Sequence, residues 1–237
     1  MNSRTLIIGS KTFDYLRTNK LLDSFKHNIR CNMGIPHGNN GSIKDRLAVC
    51  VHINEFFIKK QSDWETILSV YGEEYKIEFL KHFYDTFSTK DYNNVYYAHP
   101  NRSNYNKLLS KWGCPHSFST QPRCGYVVIF EELLMRDKHR ELPLPLVFGF
   151  SINSETRKTF YVKDFVFKKD DDGTSQHHNK NDEIKIIRWL HKNNKIDITP
   201  CMLQDCEVPT LNCEGMEPSQ EVIDLLKSVY QKVIINK

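Results

Sequence analysis

The sequence contains no run of about 18 apolar residues, the length a membrane-crossing helix needs. Its opening, Met1 to Ser10, has no apolar stretch of the secretory kind. These absences predict a soluble, cytoplasmic chain, with contact at a membrane surface left open. No Gly-x-Gly-x-x-Gly follows a strand-like segment, so the nicotinamide and flavin fingerprint is missing. Seven cysteines include no Cys-x-x-Cys pair, which leaves the closing trio Cys201, Cys206 and Cys213 a poor zinc site. An odd cysteine count, spread through apolar segments, points instead to reduced, packed thiols. No acidic pair of the Asp-x-Asp kind directly follows a predicted buried strand, so no metal is expected. Charge is nearly balanced: 33 Lys and Arg against 29 Asp and Glu give +4, too little to imply a nucleic acid partner. A mildly basic enzyme that binds anions fits that balance.

What is present is ordinary globular material. Hydrophobic residues at 39% and charged residues at 26% exclude wholly disordered, collagen-like and coiled-coil chains, and 237 residues suffice for a sizeable core. Thr5-Leu6-Ile7-Ile8, stopped by Gly9-Ser10, reads as a buried strand running into a small-residue loop. Further strands are expected over 28–32, 47–52 and 144–150, a strand or ordered flap over 160–167, and a short strand over 196–198. Ser62-Asp63 can cap a helix over 64–71, helical spacing marks 101–112 and 125–135, and 75–87 fits either period. Asp182 opens an amphipathic helix on which Ile184, Ile187 and Leu190 share a face, and a last helix is expected over 219–234. Residues 168–181 are polar, with Asp170-Asp171-Asp172-Gly173 and His177-His178, and read as a solvated loop or lid. Strands separated by helices predict an α/β unit with a mainly parallel sheet flanked by helices. With neither linker nor repeat, one unit over 1–237 is expected, carrying a flap or lid over 151–181.

In such sheets ligands bind beyond the carboxyl ends of the strands. That singles out Gly9-Ser10, Asn32, His52, the stretch Gly149 to Ser151, and the helix start Cys124-Gly125. A second signal is His178, at the end of the polar loop and just ahead of Glu183 in a helix's first turn. Imidazole, with an ordinary pKa of about 6.5, can take a proton from a hydroxyl at neutral pH. His177 is the alternative base. Tyr96, Tyr97, His99, Arg102, Tyr105 and Lys107 form a wet aromatic and basic stretch that could stack on sugar rings or simply open a solvated helix. The apolar face of the last helix, with Val222, Ile223, Leu226, Val229, Tyr230 and Val233, is most simply core. A membrane contact or a homo-oligomer contact there stays open.

Taken together, Leu6-Ile7-Ile8-Gly9-Ser10, Asn28-Ile29-Arg30-Cys31-Asn32, Cys124-Gly125 and His178 with Glu183 resemble the motifs of the sialyltransferases, bacterial and animal. The resemblance is greatest to the bacterial lipooligosaccharide sialyltransferases and runs over roughly residues 4–200. His178-Asn179-Lys180-Asn181 followed by Ile184-Lys185 is similar to the bacterial histidine motif, and Ala48-Val49 with Phe56-Phe57 to its third-strand segment. The resemblance implies a sialyltransferase-like variant of the GT-A nucleotide-binding fold. It also implies metal-independent, inverting transfer of a sugar, sialic acid or a relative, from a CMP-sugar to a hydroxyl of a glycan or glycolipid. In that scheme His178 is the base, and Tyr161 hydrogen-bonds the departing phosphate. Gly9, Ser10, Asn32, His52, Cys124, Gly125 and Ser151 surround the donor, and Glu183 supports the histidine loop. The chain departs from the family at Gly9-Ser10-Lys11-Thr12, His52, Cys124 and Phe150-Ser151, which keeps two alternatives open: a different nucleotide sugar, or an inactive glycan- or nucleotide-binding relative.

Overall fold

Apolar, β-branched residues without polar alternation suit a strand covered on both faces. Leu6 and Ile7 are fully buried in β1 (Asn2–Ile8), an interior strand of the main sheet in the computed structural model. The structure describes residues 2–9, 20–21, 24–31, 45–50, 95–98, 101–153, 160–162, 165–166, 178–204 and 208–237, with backbone alone at 2–3, 26–27, 30–31, 45–50, 95–98, 160–162 and 165–166. The main sheet also contains β2 (Phe25–Cys31), β3 (Asp45–Cys50), β4 (Val95–Ala98) and β5 (Leu146–Phe148). Its order is β4-β3-β2-β1-β5, and every neighbouring pair is parallel. The chain therefore winds outward from β1 through β4, then returns to add β5 on the other side of β1. That reversal marks the place, beyond the carboxyl ends of β1 and β5, where doubly wound sheets usually have their ligand crevice.

Three helices follow patterns expected from the sequence. α1 (Arg102–Lys111) is capped by Asn101, whose side chain accepts the Asn104 N–H at 3.1 Å, and it buries Tyr105, Leu108 and Leu109. α2 (Cys124–Lys138) buries Tyr126 through Phe130 together with Leu133, and it crosses the sheet over β1 to β4. α3 (Lys180–Lys192) is capped by Asn179, which accepts from the N–H groups of Asn181 at 3.0 Å and Asp182 at 3.3 Å. Asp182 and Glu183 in its first turn and His191 and Lys192 in its last complement the helix dipole. A 3₁₀ turn (Thr199–Met202) leads to β8 (Leu203–Gln204), β9 (Thr210–Asn212), α4 (Gln220–Val229) and β10 (Ile234–Asn236), the three strands forming a second sheet in the order β10-β9-β8. The expected flap begins as an antiparallel pair, β6 (Phe160–Val162) with β7 (Phe165–Val166).

A buried ion pair ties these layers together. From β1, Arg4 donates through Nε to the Leu144 carbonyl at 2.8 Å, through Nη2 to Asp197 at 3.3 Å and through Nη1 to Glu221 of α4 at 3.2 Å. The Arg4 and Asp197 side chains are only 9% and 6% exposed. Asp197 also accepts the Thr199 N–H at 2.9 Å, and its own backbone exchanges hydrogen bonds with Pro145 and Val147 along the outer edge of β5.

Several expectations need correction. Residues 196–198 make one isolated parallel bridge, Asp197 to Leu146, and no strand. The last helix ends at Val229, and Ile234-Ile235-Asn236, led by two β-branched residues, pairs as β10 with β9 instead. Val222, Ile223 and Leu226 are core, as expected, whereas Tyr230 and Val233 are only partly buried. α3 starts two residues earlier than Asp182 because Asn179 supplies the cap. The stretch around Tyr96 is strand β4, and Tyr105 is no wet aromatic: it is fully buried and donates its hydroxyl to Glu131 at 2.6 Å. Arg102 and Lys107 do line an open groove along α1. The helix expected over 64–71, the ambiguous stretch 75–87, His99, Cys206 and the lid segment 168–177 lie outside the described residues. Cys124, Cys201 and Cys213 are buried, Cys114 is half-buried, and none of the four is in a disulfide. Among the described residues no helix is long and apolar enough to cross a membrane.

Candidate functional site

The crevice between β1 and β5 is built by close backbone approach. The Gly9 N–H, one residue past β1, donates to the Phe148 carbonyl at 2.7 Å. Gly149 then turns the chain out of β5 with φ of +76°, a left-handed conformation that glycine adopts freely. The turn lays the Phe150 ring between Gly9 and Gly125. A Cβ at Gly9 would stand 2.5 Å from the Gly149 carbonyl oxygen and 2.9 Å from Phe150 Cδ2, and one at Gly125 would stand 2.5 Å from Phe150 Cε1. Both positions therefore need glycine for the chain's own packing, whatever else they contact. Ser151, half-buried, follows at the mouth, and Cys124 is buried in the first turn of α2.

An aromatic series backs this crevice. Tyr126 meets Phe150 edge-on at 5.7 Å, Phe118 meets Tyr126 at 6.4 Å and Phe130 at 5.1 Å, and Tyr105 reaches Phe130 at 5.1 Å. The Tyr126 hydroxyl is buried and has no hydrogen-bond partner among the described residues. Burial first, then the Glu183 charge, push its pKa well above the ordinary phenol value, with Arg123 opposing. Because the folded-state pKa is raised, this group's contribution is intact below about pH 10 and is lost as pH climbs toward the folded value. Tyr126→Phe removes the stranded hydroxyl and should stabilise the fold by up to about 1–3 kcal/mol while flattening the alkaline loss. Urea titrations at neutral and alkaline pH test this, and a destabilised variant would show that the hydroxyl is satisfied after all.

Residues 118–123 form a strap between α1 and α2, and the His178 motif closes on it. Phe118 plugs the core, and its backbone N–H and carbonyl are both held by the Asn106 amide, at 2.9 and 3.1 Å. Ser119 donates its N–H to Asp182 at 2.9 Å and its hydroxyl to the same carboxylate oxygen. Its hydroxyl also accepts from Asn179 at 3.1 Å, and its carbonyl accepts from Arg102. At the far end Glu183, 1% exposed, accepts the Arg123 backbone N–H at 2.7 Å and pairs with the Arg123 guanidinium. Between these clamps the Gln121 carbonyl lies 2.7 Å from His178 Nδ1. His178 itself is partly exposed.

Of the residues singled out by sequence, the structure thus gathers Gly9, Cys124, Gly125 and Ser151 around the crevice. It sets His178 and Glu183 against the strap that leads into α2. Tyr161 is the middle residue of β6, and Ser10, Asn32, His52 and His177 lie outside the described residues. Sequence reasoning missed the strap and Phe150's wedge; Pro122 beside Arg123, immediately ahead of an uncapped apolar helix, was the available signal. Among the described residues no three His, Cys, Asp or Glu side chains gather as a metal site would require. Comparisons with protein-family models, with curated proteins and with solved structures found no match to this chain.

Proposed function

We propose that this protein is a sialyltransferase-like glycosyltransferase that moves sialic acid or a related sugar from a CMP-sugar to a glycan or glycolipid hydroxyl. The observation that carries the reading is the placement of His178 and Glu183 against the segment entering α2, whose start lines the β1–β5 crevice. A strand-end glycine and a helix N-terminus at one reversal of strand order are the usual companions of a nucleotide phosphate, and here Gly9 and the start of α2 meet across the Phe150 ring. His178 takes the proton of the acceptor hydroxyl as that oxygen attacks the anomeric carbon. The bond from that carbon to the donor phosphate oxygen breaks, and CMP leaves carrying the negative charge. Tyr161 steadies that charge from the flap, and Ser10, Asn32 and His52 complete the donor contacts with Ser151 and Cys124. No divalent ion and no cofactor takes part, and inversion follows from the single displacement.

A thermal-shift panel of cytidine, uridine, guanosine and adenosine nucleotides, each with chelator, tests the reading. A nucleotide at a hundred times its dissociation constant stabilises by about 2.7 kcal/mol, a rise of roughly 5–11 °C for a chain of this size. Cytidine nucleotides alone should give it. A larger shift with uridine or guanosine nucleotides would replace the donor, and transfer that needs manganese would overturn the metal-free mechanism.

A further inference from the structure

We infer that the strap of residues 118–123 fixes the imidazole of His178 as its Nδ1–H tautomer, so that Asp182, Glu183, Ser119 and Arg123 are positioning residues for that side chain. The inference rests on the reading of His178 as the base. A backbone carbonyl accepts hydrogen bonds and cannot donate them, so the 2.7 Å contact between Gln121 and His178 requires the proton on Nδ1. In the neutral ring this leaves the Nε2 lone pair free, and only that nitrogen can receive a proton from an acceptor. The carbonyl is aimed by three constraints. Gln121 precedes Pro122, which biases it toward extended backbone. Ser119 is clamped to Asp182 on one side, and Arg123 is clamped to Glu183 on the other. Both carboxylates belong to the first turn of α3, the helix that His178 precedes, so the motif holds the strap and the strap in turn holds its histidine.

The test labels the histidines of the full chain with ¹⁵N and reads long-range proton–nitrogen correlations at mildly alkaline pH, where imidazole is neutral. The His178 signals are assigned by their loss in His178→Gln. The expected pattern is protonated Nδ1 with bare Nε2, the reverse of the form free imidazole side chains favour; the Nε2–H pattern at His178 overturns the inference. Glu183→Gln and Ser119→Ala should each shift His178 toward a tautomer mixture and lower kcat by about 10- to 100-fold with donor KM unchanged, the size lost when outer partners of a functional imidazole are removed. Ser119 is exposed, so its variant keeps the test open should the buried Glu183→Gln fail to fold. Lys111→Ala, which removes an outlying pair with Asp137, should leave the pattern alone. An unmoved tautomer in both strap variants overturns the positioning role. The Nδ1–H pattern combined with full activity in His178→Gln would sustain the tautomer and remove the catalytic reading beneath it.

Discussion

His178→Ala should cut sugar transfer by about 10²- to 10⁴-fold, the usual worth of general-base catalysis, while cytidine nucleotide affinity stays within a factor of a few. The loss falls on kcat because the missing interaction belongs to the transition state, where the acceptor proton is in flight. His177→Ala should be far milder. Steady-state kinetics with a demonstrated donor and acceptor, beside nucleotide binding by calorimetry, separates the two effects. If His177→Ala proves the severe variant, the motif is displaced by one residue; if neither slows turnover, the base lies elsewhere and the mechanism is wrong.

The largest structural effect should come from Arg4→Met. It keeps most of the side chain's apolar stem and removes the guanidinium that holds Asp197, leaving a carboxylate 6% exposed with the Thr199 N–H and, at 4.0 Å, His191 Nδ1 as its remaining described polar neighbours. Breaking a buried pair from one side costs about 3–5 kcal/mol, a drop in Tm of roughly 6–20 °C at this chain length. Glu221, the other partner, is 65% exposed, and Glu221→Gln should cost at most about 1 kcal/mol. Asp197→Asn in the Arg4→Met background should recover part of the loss, because a neutral amide is cheaper to bury than a stranded charge. Equal Tm values for Arg4→Met and Glu221→Gln would show that the buried pair contributes nothing beyond an exposed one.

The sequence was readable where a local pattern decides the outcome. Leu6-Ile7 and Leu146-Val147-Phe148 are uninterrupted apolar runs, and they became neighbouring buried strands. Tyr105, Leu108 and Leu109, or Ile184, Ile187 and Leu190, repeat at helical spacing and buried the expected faces. It failed where a distant partner decides. Ile234 and Ile235 continue a plausible helical face, yet residues 210–212 offer them a strand edge. Tyr105 looks wet beside Asn104 and Asn106, but Glu131, 26 residues on, accepts its hydroxyl. The strap carries no periodicity at all; its order comes from carboxylates 60 and 63 residues further along. His178 and Glu183 could be picked out by motif, whereas the contact between His178 and Gln121 could not, because a backbone carbonyl leaves no mark in a sequence.

β1 also has a history on the ribosome. It is made before the other described strands, and β5 arrives late: Arg4 waits 140 residues for the Leu144 carbonyl and 217 for Glu221. At about 5–20 residues per second, the first of those waits lasts roughly 7–28 s. During that interval Leu6 and Ile7 can pair with β2, but the opposite edge of the same strand has no mate. The β1–β5 pairing is thus made only after β2, β3 and β4 have been translated. An unpaired apolar strand edge is a template for wrong partners, so slowing synthesis between residues 31 and 144 should lower soluble yield more than the same slowing after residue 204.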